Sequence, residues 1–318
     1  MMFARHRFLI SAGKVLKYKT AFVYAEFFER CYLDKQRLPV PFTRCGNTEF
    51  RWGERTYVMG ICNLSPDSFS GDGVGSDVEA AVNYAKRMVA EGVDIIDVGG
   101  ESTRPGTAPK SPGDVDDELR LIIPVVERLA GELTVPVSVD TYKSVVARRA
   151  VQAGAAMIND IWALKRDPGL ALVAAEAGVP IVLMSNQRDV PCDDIMQGVI
   201  SDLERGIRLA REAGVPEQNI IIDPGIGFGK TLEQNLEIMR RLAELKSLGK
   251  PVLLGTSRKS MIGMVLDLPP EQRLEGTAAT VAIGITGGAD MVRVHDVGQM
   301  VRICRMSDAI IRRRLVVD

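Results

Sequence analysis

Residues 220–225 read Ile-Ile-Ile-Asp-Pro-Gly: three consecutive β-branched apolar side chains, a carboxylate, and then a turn. A run so short and so apolar suits a strand covered on both faces, with its one charged group placed where the strand stops. The design recurs. From Tyr57 onward there are eight such runs, at 58–64, 94–100, 135–141, 157–161, 181–185, 220–225, 252–257 and 291–295. Between them lie segments such as 77–91, 232–248 and 297–313, where apolar residues return every three or four positions around a charged face, the period of an amphipathic helix. Gly92, Gly154, Gly178, Gly214 and Gly249 stand where helices should end, shortly before the next strand.

Alternating strands and helices build either an open doubly wound sheet or a closed barrel. The polar residues decide between them. Asn63, Asp97, Asp140, Asn159, Ser185, Asp223, Ser257 and His295 all fall at or near the C-terminal ends of their strands, where a barrel converges its functional groups and an open sheet would string them along an edge. The expectation is an α/β fold, a single (β/α)8 TIM barrel with an N-terminal extension.

The chain of 318 residues, 46% hydrophobic and 25% charged, can bury such a core. A barrel of about 250 residues uses most of it. Forty Lys plus Arg against 41 Asp plus Glu give a net charge of −1, so nothing global draws the protein to nucleic acid or membrane, and no stretch reaches the roughly 20 apolar residues of a membrane span. Five dispersed cysteines without a CxxC pattern suit a reducing, cytoplasmic setting. With only His6 and His295, neither a histidine-based zinc site nor a Ser-His-Asp triad can form without His295. The first 45 residues hold nine of the 17 aromatics and nine Lys or Arg against three acids, a composition unlike the remainder. Residues 1–47 are therefore read as a dispensable extension outside the fold, and 48–318 as the barrel.

Four loops carry chemistry. The first, from Asn63 to Gly73, is small, polar and longer than a simple βα turn, and Asn63 at its base can ligate a hard cation or hydrogen-bond a phosphate. The second, from Gly99 to Gly106, sets backbone amides, Thr103 and Arg104 at the mouth, which suits anions; a solvated loop charge is the lesser alternative for Arg104. Asp97, Asp140, Asn159 and Asp223 should point into one cavity. Clustered acceptors suit a flat heterocycle rich in N–H donors, of the 2-amino-4-oxo-pteridine kind, or else a divalent metal. Gly255-Thr-Ser-Arg-Lys-Ser260 leads into a helix start that attracts a carboxylate or phosphate, with Ser260 as a candidate cap, Lys259 facing the site and Arg258 held in ion pairs. Arg293 and His295, two positions apart, share the inward side of the last strand, a pairing suited to a diphosphate leaving group.

Asn63-Leu-Ser-Pro-Asp-Ser-Phe-Ser70, Asp97-Val-Gly-Gly-Glu-Ser-Thr-Arg-Pro-Gly106, Ser138-Val-Asp-Thr141, Ile158-Asn-Asp-Ile161, Asp223-Pro-Gly-Ile-Gly-Phe-Gly229, Ser257-Arg-Lys-Ser260 and Arg293-Val-His-Asp296 together resemble the dihydropteroate synthase family in order and spacing, from about residue 48 to the end. The resemblance implies condensation of 6-hydroxymethyl-7,8-dihydropterin diphosphate with 4-aminobenzoate, assisted by Mg²⁺, in a homodimer formed through late helices. It implies that Asp140, Asn159, Asp223 and Lys259 hold the pterin, with Met184 and Phe228 lining its pocket. It assigns Asn63 to Mg²⁺, Thr103, Arg293 and His295 to the diphosphate, and Ser260, Phe69 and Pro105 to the aminobenzoate. Asp97 and Asp140 would stabilise positive charge developing on the pterin methylene, and Met300, Ile303 and Ile310 would offer an apolar dimer face.

Two departures stand out: Ser185 occupies the place of a usual histidine, and Gly71-Asp-Gly73 reorders a common Asp-Gly-Gly. The alternatives are a folate-dependent methyltransferase domain of the corrinoid type and a pterin-binding paralogue without turnover.

Overall fold

A computed structural model describes residues 41–64, 77–101, 115–188 and 194–312. The chain opens with a hairpin of β1 (Phe42–Cys45) and β2 (Thr48–Arg51), paired antiparallel. Eight parallel strands follow: β3 (Tyr57–Asn63), β4 (Ile95–Gly99), β5 (Val137–Asp140), β6 (Met157–Asp160), β7 (Ile181–Met184), β8 (Ile220–Asp223), β9 (Leu253–Leu254) and β10 (Met291–Val294). Their order is β8-β7-β6-β5-β4-β3-β10-β9, so β10 returns beside β3 and leaves β8 and β9 at the two ends. Those ends meet. Ile222 bridges Val252 in parallel, and its N–H donates to the Pro251 carbonyl at 3.0 Å. The sheet closes into a barrel, and the open doubly wound alternative falls.

Helices cover the outside: α1 (Val78–Ala90), α2 (Val115–Glu132), α3 (Ser144–Gln152), α4 (Gly169–Ala177), α5 (Ile195–Glu212), α6 (Leu232–Arg240), α7 (Ser260–Leu266), α8 (Leu274–Thr286) and α9 (Val297–Ile311). None among the described residues is long and apolar enough to cross a membrane. The helix expected over 232–248 is instead α6 followed by a 3₁₀ segment, Leu242–Leu248, and it ends at Gly249 in the left-handed conformation. Gly178 closes α4 in the same way.

The strands are buried on both faces, and period-two alternation divides their side chains. Val58, Ile96, Val98, Val139, Ile158, Leu183, Ile222, Leu254 and Val292 face the helices in one apolar layer. Tyr57, Met59, Ile95, Met157, Val182, Ile221, Leu253 and Met291 face inward and form the floor of the barrel together with Cys45, Phe50 and Trp52 of the hairpin region. The hairpin thus plugs the N-terminal end. Phe50 and Trp52 pack edge-on to Tyr57 or nearly so, with ring centroids 4.9 and 5.5 Å away, and the Trp52 indole N–H donates to the buried Thr43 hydroxyl at 2.9 Å.

This plug shifts the expected boundary. A division between residues 47 and 48 would cut the hairpin, because β1 supplies Thr43 and Cys45, both fully buried, to the barrel floor. The alternation of Phe42-Thr-Arg-Cys45 carries that signal at a length too short to stand apart from the unusual composition before it. A chain beginning at Gly46 should therefore melt below one beginning at Pro41, since it loses a strand and strands the Trp52 donor. At about 1–3 kcal/mol for a buried group left unpaired and roughly 2–4 °C per kcal/mol, the gap should be on the order of 5 °C by calorimetry. Equal melting temperatures would remove the plug from the fold.

Candidate active site

Above the apolar floor the inward positions change character. The same alternation that points Ile95, Met157, Ile221 and Met291 into the floor points Asp97, Asn159, Asp223 and Arg293 into the layer above, each two residues further along its strand. Strand register makes Asn63, Gly99, Asp140 and Asn159 lateral neighbours across β3 to β6, and Met184 the neighbour of Asp223. The polar layer is therefore a consequence of sheet geometry.

Arg293 sits at its centre. Its Nε donates to Asp97 Oδ2 at 2.6 Å and its Nη2 to Asp140 Oδ2 at 2.8 Å, while Asn159 Nδ2 donates to Asp97 Oδ2 at 2.9 Å. Asp97 is wholly buried. It lies one register step below Asp140 and orients Arg293 and Asn159. Among the described residues, its Oδ1 and the Ser138 hydroxyl on the adjacent strand have no hydrogen-bond partner. Burial, opposed by Arg293 and Lys259, pushes Asp140 up to about 7.

Asp223 and Lys259 form the other wall. Burial pushes Asp223 up to about 6 against the pull of the Gly225 N–H, Lys259, Lys230 and Arg293. Burial, with help from Arg293, lowers Lys259 to about 8. The two sides adjoin, because a Cβ on Gly255 would lie 3.8 Å from the Arg293 Cβ and 3.9 Å from Asp223 Oδ2. Over them lies an apolar cluster of Ile161, Trp162, Met184 and Phe228, with Tyr142 against it. The Lys259 ammonium stands 4.2 Å from the centroid of the Phe228 ring. Asp160 shapes this roof, since its carboxylate accepts from the Trp162 N–H at 2.9 Å and the Leu164 N–H at 2.6 Å and so folds the turn after β6.

The loop 223–229 is held close to the chain leaving β7. Gly225 has φ +69°, and a Cβ there would lie 1.9 Å from the Ser185 carbonyl; at Gly229, φ +68°, it would lie 2.2 Å from the Arg188 nitrogen. Only glycine fits either place. Ser185, where a histidine is usual in the resembled family, turns away from the mouth: its hydroxyl donates to Asp202 on α5 at 3.0 Å and accepts from Gln187 Nε2 at 3.1 Å.

Around the rim, the Ser257 hydroxyl lies 3.0 Å from His295 Nδ1 and accepts from the His295 N–H at 3.1 Å. Arg258 pairs with Asp296 at 2.6 Å, the structural role expected of it. Lys259, rather than Ser260, is the N-cap of α7; Ser260 is exposed at its first turn with no capping bond made by the cap side chain. Asn63 Oδ1 and Asp140 Oδ2 lie 3.5 and 3.6 Å from the point where a Gly99 Cβ would be, which brings both to one edge of the cavity. Thr103, Arg104, Phe69, Pro105 and the Gly71-Asp-Gly73 run lie outside the described residues.

Sequence reasoning missed two half-buried lysines. Lys230 reaches three backbone carbonyls around the Gly-rich loop, and Lys165 binds the Asn186 carbonyl while pairing with Asp202 at 3.0 Å. A lysine one residue past Gly225-Ile-Gly-Phe-Gly229 and next to the Thr231 cap was the available signal, but nothing in a linear sequence separates it from a solvated charge.

Comparison with known proteins gives this geometry a family. A model of pterin binding enzymes matches residues 59–295. A dihydropteroate synthase of Bacillus subtilis is 54% identical over 260 residues, which cover 82% of this chain and 90% of that one. Among solved structures, a dihydropteroate synthase of Clostridium difficile determined in the presence of pteroic acid aligns with a TM-score of 0.78 at 49% identity, covering 82% of this chain and 98% of that one. A dihydropteroate synthase of Xanthomonas albilineans with 4-aminobenzoic acid aligns with a TM-score of 0.79 at 42% identity, covering 85% and 98%. With its closed barrel, its polar layer and these relatives, the chain belongs to the dihydropteroate synthases, within the pterin-binding enzymes.

Proposed function

We propose that the mouth of this barrel condenses 6-hydroxymethyl-7,8-dihydropterin diphosphate with 4-aminobenzoate to give 7,8-dihydropteroate and diphosphate, a step of folate synthesis. The observation that carries the reading is a single pocket in which Asp140, Asp223 and Asn159 offer hydrogen-bonding groups under an apolar roof, with two cations, Lys259 and Arg293, on its walls. A flat ring with adjacent N–H donors matches such carboxylates edge-on, and Met184 and Phe228 match its faces.

Asp223 and Asp140 accept the ring N–H groups, Asn159 supplies a further polar contact, and Lys259 donates to a ring acceptor. The reaction breaks the bond between the pterin methylene carbon and the diphosphate oxygen and forms one between that carbon and the arylamine nitrogen. Thr103, Arg104 and His295 receive the departing diphosphate, while Arg293, fixed by Asp97, holds Asp140 where positive charge develops on the methylene. Ser260 and the start of α7 receive the aminobenzoate carboxylate, with Phe69 and Pro105 beside its ring. The amine loses a proton after attack, and no residue is assigned to remove it.

Mg²⁺ fits the donor set. Asn63 offers one carboxamide oxygen beside Asp140, and among the described residues no three His, Cys, Asp or Glu gather into a cage. That suits an ion that takes most of its ligands from phosphate and water. Held by Asn63, it would neutralise charge on the diphosphate.

The synthase reading is favoured over a corrinoid-type methyltransferase domain by His295, held by Ser257 at the diphosphate end, which a ligand without diphosphate would not need. The same features give an inert paralogue no reason to keep them. A cytoplasmic setting agrees with Cys45, Cys62 and Cys304, all buried and free. A homodimer through α7 to α9 agrees with exposed Met264, Val265, Leu266, Ile283, Met306 and Ile310. Of the residues first considered for that face, Met300 is fully buried and Ile303 half-buried against the core, because their side of α9 packs on the barrel.

Protein mixed with both substrates and Mg²⁺ should release diphosphate only when 4-aminobenzoate is present; pterin binding without release would leave the paralogue. Asp223→Asn keeps the size but cannot accept two N–H donors, so pterin affinity should fall about tenfold to a hundredfold, at roughly 1.5–3 kcal/mol for a charged hydrogen bond. The pH profile of kcat/KM should be a bell. Asp223, pushed up to about 6, and Asp140, pushed up to about 7, are protonated on its acid side and lose their acceptor capacity; Lys259, lowered to about 8, loses its charge on the alkaline side. A flat profile from pH 5 to 9 would contradict the assigned contacts.

A further inference from the structure

Lys230 stands between Gly229 and Thr231, where the Gly-rich loop after β8 enters α6. Its ammonium donates to the carbonyls of Ser185 at 3.0 Å, Gly225 at 3.0 Å and Phe228 at 3.2 Å. All three N–H bonds are used, and no carboxylate among the described residues pairs with it. A lysine that gives every donor to backbone oxygen is being used as a tie, and the tie has two ends: Ser185 leaves β7, while Gly225 and Phe228 belong to the loop.

The loop has further supports, and they leave a gap. Asp223 Oδ1 accepts from the Gly225 N–H at 2.6 Å, and Asn235 Oδ1 accepts from the Gly227 N–H at 2.7 Å. Backbone bonds run from the Ser185 N–H to the Asp223 carbonyl at 2.9 Å, from Phe228 to Gly225 at 3.1 Å and from Gln187 to Phe228 at 3.3 Å. Among the described residues, only the Lys230 ammonium joins the start of the loop, its end and the chain leaving the neighbouring strand at one point. The loop carries Asp223 at its base and Phe228 at its tip, the two groups given to the edge and the face of the pterin.

We propose that Lys230 is a positioning residue of the pterin subsite, whose ammonium fixes Phe228 and Asp223 relative to Met184 and holds positive charge beside Asp223. The inference rests on the synthase reading above and adds a residue to it. Its charge faces Asp223 from the loop, Asp202 from α5, Lys165 from the turn after β6 and Lys259 from the loop after β9. Asp223 in turn faces Lys259, Lys230 and Arg293. Removing Lys230 takes away one of three cations that favour the ionised carboxylate, so Asp223 should take up its proton at higher pH.

The test compares Lys230→Met and Lys230→Gln with the wild type by titration calorimetry with 6-hydroxymethylpterin from pH 5 to 8, alongside turnover and circular dichroism. The folded variants should bind the pterin on the order of tenfold or more weakly, with the KM for 4-aminobenzoate changed by less than about threefold. Their acid limb for pterin binding should move to higher pH, which loosened packing alone would not cause. Wild-type affinity or an unmoved acid limb in a folded variant overturns the proposal, and so does failure of both variants to fold, which would assign Lys230 to the scaffold. A wild type that neither binds pterin nor releases diphosphate defeats the functional reading itself, a result separable from any difference between variants.

Discussion

The ion pairs from Arg293 to Asp97 and Asp140, at 2.6 and 2.8 Å inside a closed barrel, are the constraint on which the site depends. Three charged groups in a half-dry interior cost several kcal/mol each to desolvate, and geometry must recover that cost. The barrel supplies it by bringing β4, β5 and β10 within reach of one guanidinium, although Asp97 and Arg293 are 196 residues apart in sequence. Asp97 cannot leave, since it is buried completely and also holds Asn159. Arg293 therefore stays pointed across the cavity, and Asp140 stays under its charge.

The floor makes this possible. The layer from Tyr57 to Met291, sealed from below by Phe50 and Trp52, bars water from the N-terminal end, so the polar layer above is wet only from the mouth. Low dielectric strengthens every charge interaction there and also shifts the titrating groups, raising Asp140 and Asp223 and lowering Lys259. A site of that kind discriminates by hydrogen-bond matching, because a ligand that fails to satisfy the buried carboxylates leaves them unpaired. It also suits chemistry in which charge separates, since its dipoles are placed before the bond breaks.

Much of this was legible in the chain. Eight apolar runs with polar termini gave the barrel, and two-residue spacing put Arg293 on the inner side; both follow from local periodicity that tertiary structure preserves. What escaped depends on depth and register. Asp97 and Asp140 look alike in sequence, yet one sits a layer below the other, because Asp97 is two positions short of Gly99, the neighbour of Asp140. Ser185 stood out as a departure at the place of a usual histidine, but odd and even positions along the chain leaving β7 separate it from Met184 and send it towards Asp202. The hairpin from Phe42 to Arg51 was hidden by its neighbours' composition, and Lys230 by the ordinary look of a lysine before a helix. Met300 and Ile310 shared an apolar pattern on α9 although the helix turns one to the core and the other to solvent.

The central claim is that the pterin is held edge-on by carboxylates that must be ionised to receive it. Calorimetric titration of a pterin at pH 6.5, repeated in buffers of different ionisation enthalpy, reads the protons exchanged on binding. The account predicts net release, as Asp140 and Asp223 give up protons to accept the ring N–H groups; no exchange, or net uptake, would contradict it.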